Sequence, residues 1–144
     1  MKDEKRFFNY LKGTTNEKTV IEFLKMLEAR KSSNELDKFY HPETEQIEYP
    51  NTLTKTLTKR GLNDLKDASE KGSKILTSES YEVKNLLSVN NTVVLECIWY
   101  GKLAIPIGKL NAGDQMKAYF AQFFEFKDGK IFKQRNYDCF EPFI

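Results

Sequence analysis

The sequence has little of what marks several large classes of protein. It holds two cysteines, Cys97 and Cys139, in 144 residues, too few for a disulfide scaffold and without the spacing of a zinc site. No apolar run is long enough to span a bilayer, and residues 7–11 are too short and too polar for the core of a signal peptide. We therefore expect free thiols, no membrane contact and a cytoplasmic location.

A dominant charge is missing as well. The 23 Lys and Arg residues nearly balance the 21 Asp and Glu residues, which leaves a net charge of +2. Both signs are interspersed and no arginine-rich stripe is present, so nucleic acid is not an expected partner. The sequence also lacks a glycine-rich phosphate loop, a cluster of metal ligands and a Ser-His-Asp set. It therefore predicts neither a metal site nor a cofactor.

What the sequence does contain is many aromatic rings. Phe (11) and Tyr (7) raise the aromatic content to 13%, and these rings need a large interior, a pocket or an interface to cover them. The length suits one domain, since domains usually have roughly 100–200 residues. We predict that residues 1–13 are an extension with room for a short helix, and that residues 14–144 form a single α+β domain.

The first half of the chain has a helical pattern. Residues 14–17 read Thr-Thr-Asn-Glu, which is typical of a capped helix start. Apolar residues then recur at helical spacing, namely Val20, Phe23, Leu24 and Leu27. A second, shorter helix is predicted to stop at His41 and Pro42, because proline disfavours a helical residue before it.

Two further elements are predicted before the pattern changes. Residues 46–49 alternate polar and apolar side chains, which indicates a brief strand. Residues 61–71 carry an apolar face and precede Gly72, a typical helix C-cap. The N-terminal part is therefore expected to supply three helices and one short strand.

From residue 74 the apolar period changes to two, which is the period of a strand. Four strands are predicted, at residues 80–86, 92–100, 115–126 and 131–140. Asn90 and Asn91 suit a tight hairpin turn, and residues 127–130, Lys-Asp-Gly-Lys, carry the strongest turn signal. We expect these strands to form an antiparallel meander.

The C-terminal hairpin resembles a known family. Residues 126–131 read Phe-Lys-Asp-Gly-Lys-Ile and residues 135–138 read Arg-Asn-Tyr-Asp, which is similar to the last hairpin of the SnoaL-like branch of the nuclear transport factor 2-like superfamily. The resemblance implies a cone-like curved antiparallel sheet wrapped around three N-terminal helices, an internal apolar pocket and frequent dimers. Members of the superfamily include ketosteroid isomerases, polyketide cyclases, epoxide hydrolases of the limonene type and proteins that only bind.

Strand alternation then selects Asp138 as the candidate acid/base. One face of the last strand carries Phe132, Gln134, Asn136, Asp138 and Phe140. A carboxyl group between aromatic rings is poorly solvated, which raises its pKa and suits it to proton transfer near neutral pH. The alternative interpretation is a structural carboxylate that is bonded to backbone amides or to an arginine.

Six further residues are predicted to bind the ligand: Tyr49, Asn51, Trp99, Phe120, Gln134 and Asn136. The resemblance to the epoxide hydrolases implies that Tyr49 and Asn51 hold a water molecule or polarise a carbonyl group. Asn136 lies where those enzymes have an acidic residue, and an amide cannot take a proton from water. Trp99 and Phe120 are expected to form the apolar floor of the pocket.

Three functions remain open at this point. The first is binding of a small hydrophobic molecule in the pocket, with or without cofactor-free acid/base chemistry. The second is an isomerase, cyclase or hydrolase that uses Asp138, and the third is a protein-interaction module that uses the outer sheet face. We also expect a homodimer through that face, because Tyr119, Ala121 and Phe123 point away from the helices. The aromatic C-terminal tail, residues 140–144, is expected to pack against the domain.

Overall fold

The computed structural model describes residues 13–30 and 32–144, so residues 1–12 of the predicted extension lie outside it. Helix α1 spans Thr15–Ala29 and starts at Thr14, whose hydroxyl accepts a hydrogen bond from the Glu17 N–H at 3.2 Å. A 3₁₀ helix spans Ser33–Lys38, and helix α2 spans Leu62–Ile75. No helix within the described ranges has an apolar stretch long enough to cross a membrane.

Six strands form one curved, open sheet. They are β1 (Tyr40–Glu48), β2 (Thr58–Arg60), β3 (Leu76–Val89), β4 (Thr92–Leu103), β5 (Gln115–Lys127) and β6 (Lys130–Phe140). The spatial order is β2-β1-β6-β5-β4-β3. Strands β3 to β6 pair antiparallel in sequence order, which confirms the predicted meander. Strand β1 pairs in parallel with β6, so the sheet is not antiparallel throughout.

Two tight turns hold the meander in register. Asn90 has φ 54° between β3 and β4, and Asp128 and Gly129 have φ 54° and 75° between β5 and β6. Asn, Asp and Gly tolerate this left-handed backbone better than other residues, and it matches the twist of the flanking strands. Both hairpins were predicted at these positions.

The region around His41 differs from its prediction. His41 and Pro42 do not stop a helix but lie inside β1, which is longer than the brief strand expected at residues 46–49. The β1–β6 pairing is irregular between Tyr40 and Glu45. Proline has no N–H to donate to a ladder, and the interrupted pairing at this point removes the need for one.

Two other boundaries were missed in the same half of the chain. Strand β2, a three-residue edge strand, was not predicted, because so short an element has no detectable period. Helix α2 continues past Gly72 to Ile75. Its predicted C-cap glycine therefore lies inside the helix, where the backbone N–H of Leu76 still reaches the Gly72 carbonyl.

The core lies between the helices and the concave face of the sheet. Phe23 of α1 packs its ring against Phe39, Tyr40 and Phe124, with centroids 5.6, 5.5 and 6.2 Å apart. The tail closes on this domain as expected, since Phe143 is only 4% exposed and its carbonyl accepts from the Lys109 N–H at 2.6 Å.

A bulge shifts one residue of β6 away from its predicted face. The β5–β6 pairing changes register between Glu125 and Phe126, and Ile131 becomes the fully buried residue. Phe132 instead packs its ring against His41, with centroids 5.1 Å apart. Regular alternation resumes beyond the bulge, so the predicted inward face holds from Gln134 onward.

Candidate functional site

A cavity of about 530 Å³ lies between the helices and the concave sheet face. Small-molecule sites commonly have volumes of about 300–1,000 Å³. Apolar side chains from α1, the 3₁₀ helix and α2 form one wall, among them Phe23, Met26, Leu27, Leu36 and Leu65. The sheet forms the opposite wall, so the curvature of the sheet creates the space.

Three aromatic rings form the floor on β4, β5 and β6. Trp99 stacks on Phe120 with centroids 5.8 Å apart and an interplanar angle of 17°. Phe140 meets both rings edge-on, with centroid distances of 6.1 and 6.2 Å. Ala118 pairs with Trp99 on one side and with Phe140 on the other, and its small side chain leaves room for the large rings. Both predicted floor residues lie in the cavity wall.

A short hydrogen-bonded chain runs along the inward face of β6. The Tyr40 hydroxyl donates to Gln134 Oε1 at 2.5 Å, and Gln134 Nε2 donates to Asn136 Oδ1 at 2.8 Å. Burial raises the pKa of Tyr40 well above its ordinary value, so the phenol remains a donor. Because Asn136 Oδ1 accepts the last hydrogen bond of this series, the Asn136 amide nitrogen is the donor at its end.

Asp138 lies next on the same face, paired in register with Phe120. No group of the described residues donates a hydrogen bond to its buried Oδ1 atom. Burial, and after it the nearby charge of Glu48, raises the pKa of Asp138 to about 7, against the opposing effect of Arg60. A carboxyl group with such a pKa can take up and release a proton near neutral pH.

Arg60 bonds to a different carboxylate. Its Nη1 atom lies 2.7 Å from Glu48 Oε1, and the Asn51 amide donates to Glu48 Oε2 at 2.9 Å. Glu48 and Arg60 line the cavity beside Asp138. We call this group of three, Glu48, Arg60 and Asp138, the β1 end of the cavity.

A second ion pair lies at the opposite edge of the sheet. Glu79 Oε1 accepts from the Tyr81 hydroxyl at 3.0 Å and from Trp99 Nε1 at 3.1 Å. Arg30 Nη1 lies 3.6 Å from Glu79 Oε2. We call Arg30, Glu79 and Tyr81 the β3 end; all three line the same cavity as Asp138.

Two predicted ligand-binding residues lie outside the cavity wall. Tyr49 follows the last residue of β1 and stacks on Tyr137 of the outer sheet face, with centroids 4.6 Å apart. Asn51 holds a turn, because its Oδ1 accepts from the N–H groups of Leu53 and Thr54 at 2.9 Å each. Asn51 reaches the site indirectly, through its hydrogen bond to Glu48.

The sequence interpretation missed the charged residues at both ends. It predicted an alternating strand at residues 46–49 without naming its inward face, and the structure buries Gln46 to 8% exposed and turns Glu48 into the cavity. A polar pair two residues apart in a strand was the available signal. Nothing in the local sequence could have matched Arg60 with Glu48 or Arg30 with Glu79.

The cavity therefore joins four of the six predicted ligand-binding residues with the candidate acid. These are Trp99, Phe120, Gln134, Asn136 and Asp138. Their roles in binding and catalysis remain predictions. Within residues 13–30 and 32–144, no three or more His, Cys, Asp and Glu side chains group in a way that would hold a metal ion.

Comparisons with known proteins bear on the fold. No protein-family model matches the sequence. No curated protein matches it either. Among solved structures, IdmH from Streptomyces antibioticus, which is assigned as a polyketide cyclase, has a TM-score of 0.73 at 12% identity, over 87% of this chain and 92% of IdmH.

Two other solved structures show the same likeness. A SnoaL-like polyketide cyclase from Agrobacterium tumefaciens has a TM-score of 0.66 at 16% identity, over 88% of this chain and 91% of that one. The phenazine biosynthesis-related protein PhzB2 from Pseudomonas aeruginosa has a TM-score of 0.65 at 20% identity, over 88% and 75% of the two chains. The chain therefore has the fold of the SnoaL-like polyketide cyclases, the fold that its C-terminal hairpin resembled.

Proposed function

We propose that this protein binds a small, largely apolar molecule in the cavity and that Asp138 acts on it as a general acid/base. The observation that carries the proposal is the pairing of the charged groups. Among the described residues, three carboxyl groups and two arginines line the cavity. Glu48 and Glu79 each have an arginine partner, while Asp138 has no ion pair with a described residue and has a raised pKa.

The proposed chemistry is proton transfer at a carbon atom beside a carbonyl group. With a pKa of about 7, Asp138 is able both to remove a proton and to return one near neutral pH. The Asn136 amide would donate to the carbonyl oxygen as negative charge develops there. Asp138 would then return the proton to a second carbon atom, which completes an isomerisation, or would assist ring closure. The solved structures that carry the name polyketide cyclase support this class of reaction.

The test uses an aromatic cyclic ketone, β-tetralone, as a probe that has exchangeable protons beside its carbonyl group. Deuterium incorporation from D₂O is followed by NMR with wild type, Asp138→Asn and Asp128→Asn. Asp128→Asn is the matched control. It makes the same aspartate-to-asparagine change on the β5–β6 turn, where the Asp128 side chain is 79% exposed.

We expect Asp138→Asn to lower the exchange rate at least about 100-fold, since general acid/base groups contribute about 10²–10⁴-fold. Asp128→Asn should exchange protons at the wild-type rate. The wild-type exchange rate should rise with pH through an apparent pKa near 7. If both variants exchange protons as fast as wild type, Asp138 is not the acid/base. If the probe binds to wild type without any catalysed exchange, the binding function alone is supported.

We also propose that the protein forms a homodimer through the outer face of the sheet. Tyr119 and Tyr137 are each 43% exposed there, and they border a hollow of about 470 Å³ that Ile98, Ala121 and Cys139 also line. A stable interface would bury more than about 1,000 Å² in total. Sedimentation should give twice the chain mass of 16.8 kDa, and Tyr137→Glu should give the monomer. A wild-type monomer at high micromolar concentration would contradict the dimer and leave this face to another partner.

A further inference from the structure

We propose that Glu79 forms a second recognition subsite, which binds a hydroxyl or similar neutral hydrogen-bond donor at the far end of an elongated substrate. The inference rests on the proposed function, because the near end of that substrate is the part that meets Asp138. It adds a substrate class: an apolar, ring-containing molecule with a polar group at each end.

The position of Glu79 supports an elongated ligand. Asp138 is on β6 and Glu79 is on β3, with β4 and β5 between them. Three strand spacings amount to about 14 Å of sheet, and the curvature of the sheet brings side chains on its concave face closer together. The stacked rings of Trp99, on β4, and Phe120, on β5, lie between Glu79 and Asp138. A molecule of two or three rings would span the two polar ends and stack on this floor.

The contacts that Glu79 makes with other described residues leave one of its acceptor oxygens for a ligand. Its Oε1 atom already accepts from Tyr81 and Trp99. Its Oε2 atom has the Arg30 ion-pair contact at 3.6 Å, which is longer than a hydrogen bond. The Glu79 side chain is 18% exposed and lines the cavity. A donor on the ligand therefore has a carboxylate oxygen to meet there.

Arg30 determines that the favoured donor is neutral. Its Nη2 atom donates to the carbonyl oxygens of Ser73 and Leu76 at 3.1 and 2.8 Å, so the guanidinium group is fixed in place beside Glu79. Because the positive charge of Arg30 already balances the carboxylate, a cationic ligand group gains little there. A hydroxyl group gains a charge-assisted hydrogen bond without bringing a second positive charge to Arg30.

The carboxylate is also held ready before a ligand arrives. Two donors on Oε1 and the fixed Arg30 hold the Glu79 side chain in one orientation. Ligand binding then loses little side-chain entropy at this subsite, which increases the contribution of the new hydrogen bond to affinity. A site built to bond a hydroxyl group discriminates strongly against the analogue that lacks it.

The experiment compares two probes by titration calorimetry, below the pKa of the phenol. One is a biphenyl carbaldehyde with a hydroxyl group at the end opposite the aldehyde; the other is the same compound without the hydroxyl group. The proteins are wild type, Glu79→Gln, Glu79→Asp and Asp138→Asn. Glu79→Asp keeps the charge but withdraws the carboxylate by one methylene group, so it gives a second reading if Glu79→Gln does not fold.

We expect wild type to bind the hydroxylated probe about tenfold more tightly than the other, as a hydrogen bond to a charged group predicts. Both Glu79 variants should lose most of that preference, and Asp138→Asn should keep it. Equal binding of the two probes to wild type would overturn the Glu79 subsite and leave the proposed function standing. A preference that survives in both Glu79 variants would overturn it too. Failure of wild type to bind either probe would contradict the proposed function and, with it, the subsite.

Discussion

The two ends of the cavity each contain an arginine next to a carboxylate. They differ in that the β1 end holds a second carboxyl group, that of Asp138. At the β3 end, Glu79 has Arg30 beside it and accepts from both Tyr81 and Trp99. At the β1 end, Arg60 bonds to Glu48 at 2.7 Å, and Asp138 has no ion pair with any described residue. The same residue types therefore give an ion-paired carboxylate at one end and a carboxyl group with a raised pKa at the other.

The β1 end shows that a nearby cation need not keep the pKa of a buried carboxyl group at its ordinary value. Arg60 does lower the pKa of Asp138, but burial and the charge of Glu48 outweigh it and the pKa rises to about 7. Among the described residues, three carboxyl groups and two arginines line this cavity, and the carboxyl group that lacks an arginine partner is the one whose pKa is raised. Three predictions test this contrast, from the largest expected effect to the smallest.

Removing the cation at the β1 end should have the largest effect on stability. Arg60→Met leaves Glu48 without its ion-pair partner while its side chain is only 12% exposed, so the free energy of unfolding should fall by about 3–5 kcal/mol. The measurement is urea denaturation at pH 8. Adding Glu48→Gln to Arg60→Met should recover most of the loss.

A matched control for that variant is Arg135→Met. Arg135 forms an ion pair with Glu125 on the other sheet face, where the two side chains are 30% and 42% exposed. Partly exposed pairs contribute about 0–1 kcal/mol. An equal loss in the two variants would mean that the Arg60–Glu48 pair is no more important than a surface pair.

Asp138→Asn should stabilise the protein at alkaline pH. The folded-state pKa of Asp138 is about 7, above its ordinary 3.8, so the folded state binds one proton more than the unfolded state between these values. The wild type should therefore lose stability as pH rises from about 4 to 7, by roughly 2–4 kcal/mol. Asparagine has no charge to bury, so the variant should keep this stability at pH 8.

The comparison is made by thermal or urea unfolding at pH 4 and pH 8. Wild type and Asp138→Asn should differ little at pH 4, where both side chains are neutral in the folded state. Asp128→Asn, on the exposed turn, should follow wild type at both values. If Asp138→Asn loses as much stability between pH 4 and pH 8 as wild type does, the proton is not held on Asp138.

Tyr81→Phe should have the smallest effect and should not depend on pH. It removes one donor from Glu79 and should cost about 1–2 kcal/mol. Burial, and after it the charge of Glu79, raises the pKa of Tyr81 well above its ordinary value, so the hydroxyl group keeps its proton from pH 5 to pH 8. Tyr119→Phe is the control, because the Tyr119 hydroxyl donates to Glu141 at an exposed position. It should lower the free energy of unfolding by less than Tyr81→Phe. A Tyr81→Phe loss that changed steeply across this pH range would contradict the expectation that the Tyr81 hydroxyl group keeps its proton.

Local patterns were sufficient for the C-terminal half of the molecule. Alternation along β4, β5 and β6 placed Trp99, Phe120 and Asp138 on one face, since successive side chains in a strand point to opposite sides. The turn residues Asn90 and Gly129 determined where the strands reverse. These features depend on residues close together in the chain, which is why a sequence pattern can predict them.

The position of β1 and the pairing of the charged residues in the site depend on contacts between residues that are far apart in the chain. Strand β1 pairs with β6, which is far from it in the chain, and in this pairing Glu48 faces the cavity while Tyr49 stacks on the outer face. The partners Arg60 and Glu48 are on different strands, and Arg30 and Glu79 come from a helix end and a sheet edge. The sequence by itself determined that an acidic side chain would face the interior. Only the tertiary structure decided which carboxylates received an arginine, because electrostatic energy depends on distances in space and not on separation along the chain.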